Sequence, residues 1–535
     1  MYRAAWKTAG KAVGLPTSLA AVLLAGVLTA SAHPYQKAAA TVPAAASAVD
    51  NLTGTIDSIL ADPRLDGAQA AVLVRTADTG AVLYARNPDE RLLPASNTKL
   101  FTSTAALDLL GPDHRFTTSV LATGAQHGTV LQGNIYLRGT GDPTLLYPDY
   151  DELAAKVATS GVRSVQGDLV ADDTWFDNVR YGTSWAWDDE DQYYDAGISA
   201  LSAAGDTDYD AGTVIVEAFP AASAGQPATV TLTPQTGYVK VVNRSTTVPA
   251  GGTDTLSIHR DHGTNNIIID GTVPVGGSST KEWVAVWEPT GYAADLFRRA
   301  LAAHGVHVTG ATLPGLATPA TARPLASHDS MTLAEIYTPF LKLSNNMHAE
   351  ILTKTLGRVE AGEGSWDAGL QVIADDMKAK FGVDMTKLRQ ADGSGLSRWD
   401  NIAPQQITDV LIAAQSKPWF QTWYNALPIA GNPDRMIGGT LRNRMRNTPA
   451  ANNVHGKTGS LTGATALSGY VTDADGQRLV FSILFNNYLS GAPTDLQDKI
   501  AIVLATFSQH PTAAAPMVVP TVPVPTGPDL EWTKG

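Results

Sequence analysis

The chain has 535 residues, 44% of them hydrophobic and 17% charged, with a formal net charge of -13 and no cysteine. That length calls for two or three domains, and the composition excludes a disordered chain. With this charge and no Lys/Arg cluster, a nucleic-acid backbone is not an expected partner, whereas small cationic or zwitterionic ligands stay open; the lack of cysteine excludes a disulfide framework, cysteine-ligated metal and a thiol nucleophile.

In chain order, Arg3, Lys7 and Lys11 precede an apolar run from Leu19 to Leu28 and the small-residue site Ala30-Ser31-Ala32. Residues 1–32 therefore read as a signal peptide, with Ala46-Ser47-Ala48 as a second, more distant cleavage site that would extend it to 48. The alternative is an uncleaved anchor, for which the run is short. No later stretch is long and apolar enough for a stable membrane span.

Asn51 to Ala61 has the look of a short helix. Ala71 to Arg86 reads as a hairpin, with apolar residues alternating on both sides of Asp78-Thr79-Gly80. A helical pattern runs from Ser96 to Leu110 and stops at Gly111-Pro112. Between about residues 115 and 323 short β-like runs recur, such as Gly212 to Ala218, Ala228 to Leu232, Tyr238 to Val242 and Asn266 to Asp270, which points to one or two inserted β-rich domains. Val179 to Gln192, within this region, is dense in tryptophan and acidic residues. Helical patterning returns at Leu333 to Leu356, Trp366 to Phe381 and Pro404 to Ala414. Val454 to Leu461, Ala466 to Thr472 and Arg478 to Asn487 then read as strands, and Leu496 to Phe507 as a closing helix. The N-terminal hairpin is thus expected to share a sheet with the C-terminal strands. The tail from about His510 is rich in Pro, Val and Thr and is expected to be disordered.

Three short motifs carry chemistry. In Ser96-Asn97-Thr98-Lys99 the serine and lysine lie three apart on one helical face, so Lys99 can reach the Ser96 hydroxyl. A serine is a weak nucleophile that needs an adjacent base, and a lysine can serve only when neutral, which burial or a second cation favours. Alone the pattern is weak, arising by chance about once in a chain of this size and composition, and an ordinary helix cap explains it equally. Ser344-Asn345-Asn346 offers a second hydroxyl that could relay a proton and an amide that could face both Lys99 and a substrate carbonyl; by itself it reads as a polar loop. Lys457-Thr458-Gly459-Ser460, on an expected strand, is sharper. Lys457 and Thr458 suit a carboxylate, Gly459 lets a substrate backbone lie close, and the N–H groups of Ser460 and Ser96 could form an oxyanion hole.

The order of these motifs is the set found in penicillin-binding proteins and class A β-lactamases. Leu93 to Leu100, Asp392-Gly393-Ser394-Gly395-Leu396-Ser397-Arg398 and Gly141-Asp142-Pro143-Thr144-Leu145 extend the likeness, as does the long gap between Lys99 and Ser344. The chain resembles the low-molecular-mass class C penicillin-binding proteins, the S13 peptidase family of D-alanyl-D-alanine carboxypeptidases and endopeptidases, and within it the actinomycete members.

The resemblance implies an α/β fold. A penicillin-binding transpeptidase-like domain, an antiparallel five-stranded sheet flanked by helices, would comprise residues 49–117 and 327–510. Two inserted β-rich domains would follow, one from 118–138 and 212–326 and the other from 139–211, leaving 511–535 as the tail. It also implies a secreted, cell-wall-associated serine D-Ala-D-Ala carboxypeptidase that needs neither cofactor nor metal. Lys99 would be the acylation base, Ser344 the proton relay and Asn346 a substrate donor, while Lys457 and Thr458 would hold the terminal carboxylate of a peptidoglycan stem peptide. β-Lactams would acylate Ser96 and leave slowly. For a free diaminopimelate side chain, Asp189 and Tyr194 match one side of the family's pocket and Arg398, Ser460 and Thr462 the other. Ala186 stands where a tryptophan is expected, Asp188 is an alternative to Asp189, and a solvated acidic loop with Trp185 and Trp187 in the core is the competing reading. Cleavage of cross-links, β-lactam or ester hydrolysis on the same residues, and a catalytically silent wall-binding protein are the alternatives for the whole chain. His348 and Glu350 do not form a metalloprotease motif.

Overall fold

The computed structural model describes residues 44–510 and 517–524. The signal peptide expected over 1–32 lies outside the described residues, and the second cleavage site at 46–48 falls in a helix, Ala44–Leu60. Most of the expected tail also lies outside them. Residues 517–524, which are described, have no regular secondary structure, and Met517 and Val522 pack against the hydrophobic core.

The centre is an antiparallel five-stranded sheet. Its strands are β1 (Gln69–Thr76), β2 (Val82–Arg86), β3 (His455–Leu461), β4 (Ala464–Thr472) and β5 (Arg478–Asn486). The order across the sheet is β2-β1-β5-β4-β3, so the N-terminal hairpin pairs with the C-terminal strands as the apolar patterning predicts. Side chains alternate faces along a strand. Ala466, Tyr470, Val480 and Leu484 meet one core; Leu467, Val471, Phe481 and Ile483 meet the other. Burial on both faces explains why β5 reads as an almost unbroken apolar run rather than an alternating one. The first core is closed by helices Lys99–Leu110, Leu333–Lys342, Asn346–Ala361 and Pro404–Ala414, the second by Ala44–Leu60 and Thr494–Thr506. β3 is left as the edge strand beside the start of helix Lys99–Leu110.

The insert departs from the expected division. Leu169–Asp172, inside the expected 139–211 domain, pairs with Ile135–Arg138 and Thr312–Pro314, and Ser164–Val165 pairs with Val130–Gln132. A single hydrophobic cluster runs from Val120 through Tyr150 and Val214 to Val306. The boundary at residue 139 therefore cuts through continuous sheets. The insert also contains two helices, Tyr147–Thr159 and Pro289–Ala303. The first buries Tyr150, Leu153, Ala154 and Val157, a helical spacing present in the sequence but overshadowed by the many short strand-like runs around it.

Candidate active site

Ser96 sits in a tight turn, Ala95–Thr98, that leads directly into helix Lys99–Leu110. The turn is entered through Ala95 at φ 46°, a left-handed conformation that is costly for a residue with a Cβ. Both Ser96 and Lys99 are buried. Lys99 Nζ lies 2.8 Å from Ser96 Oγ, 2.7 Å from Asn346 Oδ1 and 2.8 Å from the Ser394 carbonyl oxygen. The three-residue spacing thus does bring the amine to the hydroxyl.

Ser344 lies between helices Leu333–Lys342 and Asn346–Ala361, also with a positive φ of 59°. Its Oγ accepts from Lys457 Nζ at 2.7 Å. Asn345 caps the second helix by accepting from the His348 N–H, while its own amide donates to the Asp208 and Tyr209 carbonyls and to Asp210 Oδ1. Asn346 Nδ2 donates to the Tyr194 carbonyl, leaving Oδ1 for Lys99.

β3 carries Lys457 to Ser460, all buried. Asn97 Nδ2 donates to the Lys457 carbonyl at 3.0 Å and ties the Ala95–Thr98 turn to the strand. A Cβ at Gly459 would lie 2.7 Å from the Pro94 carbonyl and 3.1 Å from Ser96 N, so only glycine allows the strand to run this close. Thr458 Oγ1 donates to Thr440 Oγ1 at 2.7 Å. Thr440 carries no signal in the sequence, because it lies 18 residues away in a short helical turn, Gly439–Leu441, that no motif marks.

The loop from Asp392 to Ser397 forms the floor. Glu350 accepts from Gly393 N, Ser394 N and Trp366 Nε1 at 2.7–2.8 Å, and Asp392 accepts from Gly395 N, Ser397 N and Trp185 Nε1 at 2.6–2.9 Å. Burial pushes the Glu350 carboxyl up to about 7, with the Asp392 charge adding to the effect. Burial also pushes Asp195 up to about 9. His348 and His455 are pushed down to about 4 by burial, and His455 stacks on Tyr424 with ring centroids 4.1 Å apart, so both act as neutral packing groups.

Of the residues expected around a diaminopimelate side chain, two pairs are in contact. Tyr194 Oη donates to Asp189 Oδ1 at 2.9 Å, and Arg398 Nη1 donates to the Thr462 carbonyl at 2.8 Å. Burial raises the Asp189 carboxyl, while Tyr194 and the Arg398 charge act in the opposite direction. Asp188 is exposed and Trp187 is 74% exposed, so the reading that packs Trp187 in the core does not hold. Trp185 is partly buried, bonded to Asp392 and edge-on to Trp366.

Comparison with known proteins gives a consistent result. The profile of the D-Ala-D-Ala carboxypeptidase 3 (S13) family matches residues 52–507. The chain is 46% identical over 470 residues to the D-alanyl-D-alanine carboxypeptidase of Actinomadura sp. (strain R39), covering 87% of each. It is 27% identical to the D-alanyl-D-alanine carboxypeptidase DacB of Haemophilus influenzae, covering 81% of this chain and 88% of that one. Among solved structures, penicillin binding protein 4 (dacB) from Haemophilus influenzae superposes with a TM-score of 0.73 at 24% identity, covering 83% of this chain and 97% of the other.

Proposed function

The chain belongs to the S13 family of D-Ala-D-Ala carboxypeptidases, and from that premise we propose that it works outside the cytoplasm on peptidoglycan stem peptides through an acyl-enzyme on Ser96. The observation that carries the mechanism is the buried Lys99 Nζ, 2.8 Å from Ser96 Oγ and 2.7 Å from Asn346 Oδ1, beside a second buried lysine–serine contact, Lys457 to Ser344. Lys99, in its neutral form, takes the Ser96 proton as Oγ attacks the carbonyl of the penultimate D-alanine. The N–H groups of Ser96 and Ser460 face the developing oxyanion, a role supported by the close approach of β3 to Ser96 N. The proton passes by way of Ser344 to the departing D-alanine amine, and the C–N bond breaks. Water then attacks the ester, giving the shortened peptide and free Ser96.

Lys457 and Thr458 anchor the terminal carboxylate, with Thr440 holding the Thr458 hydroxyl. Asp189 and Tyr194 face the ammonium of a diaminopimelate side chain; Arg398, Ser460 and Thr462 face its carboxylate. Penicillins, which present a similar carboxylate beside a strained amide, acylate the same serine. This is supported by the β-lactam complex of the Haemophilus influenzae protein, which shares the fold with a TM-score of 0.68. Cleavage of D-alanyl cross-links is a second activity open to the same acyl-enzyme. Among the described residues no helix is long and apolar enough to cross a membrane.

A fluorescent penicillin is expected to label the protein covalently, and Ser96→Ala to abolish the label. Labelling that survives the substitution would remove Ser96 from the mechanism. D-Alanine release from peptides bearing free diaminopimelate should exceed release from lysine-containing analogues; equal rates would refute the pocket. Rapid β-lactam turnover would instead favour a lactamase.

A further inference from the structure

Lys99 has a third neighbour to which the mechanism above gives no role. Besides Ser96 and Asn346, its Nζ faces the main-chain carbonyl of Ser394 at 2.8 Å. That oxygen belongs to the Ser394–Gly395 peptide, and the N–H of the same peptide donates to Asp392 Oδ1 at 2.7 Å. One planar amide therefore separates the Asp392 carboxylate from the Lys99 amine. A peptide whose N–H is held by an anion shifts toward its charge-separated resonance form, which puts more negative charge on the carbonyl oxygen.

The surroundings fix this contact. The other oxygen of Asp392 accepts from Ser397 N at 2.6 Å and Trp185 Nε1 at 2.9 Å, a set of N–H donors suited to an anion. Glu350 holds the N–H groups of Gly393 and Ser394, so the loop cannot swing its carbonyl away. Gly395 has φ +87°, and a Cβ there would lie 1.9 Å from the Ala95 carbonyl, so the loop is pressed against the nucleophile turn. The charged and titratable groups around this loop and the Ala95–Thr98 turn are Glu350 from helix Asn346–Ala361, Asp392 and Asp400 from the loop and its end, Asp195 from the turn beside Tyr194, and Lys457 from β3, whose carbonyl accepts from Asn97.

We propose that Asp392 is a positioning residue that sets the proton affinity of Lys99 through the Ser394–Gly395 peptide. The proposal rests on the reading of Ser96 and Lys99 as nucleophile and base. The carboxylate holds the carbonyl in place and makes it a strong acceptor, so the lysine is a stronger base than burial alone would leave it. Glu350 fixes the neighbouring peptide but has no such line to the amine.

The test is the rate of Ser96 acylation by a fluorescent penicillin as a function of pH, whose acid limb reports protonation of the base in the free enzyme. In Asp392→Asn the limb is expected to move to lower pH by on the order of one unit, with the plateau rate lowered roughly tenfold. Trp185→Phe removes one donor from the Asp392 carboxylate without touching the peptide, so the anion pulls harder on Gly395 and the limb is expected to move up by roughly a few tenths of a unit. A purely structural role lowers the plateau and leaves the limb in place. If Asp392→Asn does not fold, Trp185→Phe decides alone. A limb that is unmoved, or moves downward in Trp185→Phe, overturns the proposal, whereas failure of the Ser96 reading shows separately as labelling retained in Ser96→Ala.

Discussion

At the scale of single residues, the site depends on polar groups that are buried yet bonded. Buried Thr458 is such a group, its contact with half-buried Thr440 being one neutral hydrogen bond worth about 0.5–1.5 kcal/mol. Thr440→Val is therefore expected to raise KM for the peptide by roughly two- to tenfold with little change in kcat. A fall in kcat at constant KM would contradict the anchoring role. The carboxyls beneath the site make a second prediction. Asp195 is raised from 3.8 to about 9 and Glu350 from 4.5 to about 7, both chiefly by burial, so the folded chain binds their protons more tightly than the unfolded chain does. Their stabilising protonated forms are lost as pH rises through those folded values. His348 and His455, lowered to about 4, oppose this only below 6.5, and Lys342, lowered to about 8, only above 8. Tm is thus expected to fall between about pH 6.5 and 8, and Asp195→Asn to flatten that slope. A rising Tm over this window would overturn the assignment.

At the scale of elements, the motifs meet because an edge strand and a helix start approach within backbone contact. Gly459 permits the approach, and the Pro94 carbonyl 2.7 Å from its missing Cβ cannot be pushed aside cheaply. Gly459→Ala should cost about 1–3 kcal/mol of stability and slow penicillin acylation by at least roughly tenfold, measured by denaturant unfolding and labelling rate. Unchanged acylation would show that β3 can shift without loss. The glycine was conspicuous in the sequence, but its structural neighbour was not. Local patterning announces a strand and a helix, whereas their separation depends on both sides of the sheet being filled. The same limit applies to Ser394: its contribution to Lys99 is a main-chain oxygen, which carries no side-chain signature.

At the scale of the whole molecule, the insert serves as part of the site's frame. Its segment from Asp206 to Asp210 reaches the Ser344–Asn346 motif through Asn345, and Asp208 forms a two-pronged ion pair with Arg435 at 2.5 and 2.7 Å. Arg435 opens the short helix just before Thr440, so one aspartate links the insert to both the Asn345 and the Thr440 segments. Asp208→Ala is expected to slow acylation roughly three- to tenfold while leaving the helical content by circular dichroism intact. An unchanged rate would reduce the ion pair to a simple tether. Here the sequence was least informative. Strand-like runs in the insert were legible one by one, yet their pairing crosses the expected boundary at residue 139, because sheet partners are chosen by long-range packing rather than by neighbours in the chain.

By itself the sequence determined the order and identity of the proposed reacting groups: Ser96 three residues from Lys99, Ser344 two from Asn346, and Lys457 leading a glycine on a late strand. It also determined the hairpin, the three late strands and the closing helix, because apolar periodicity is a local property. Only the tertiary structure decided that Lys457 reaches Ser344, that Thr440 backs Thr458, and that Asp392 stands one peptide away from Lys99. Those contacts join residues 18 to more than 100 apart, or run through the backbone itself. They are fixed by the packing of the whole chain, of which a short motif carries no record.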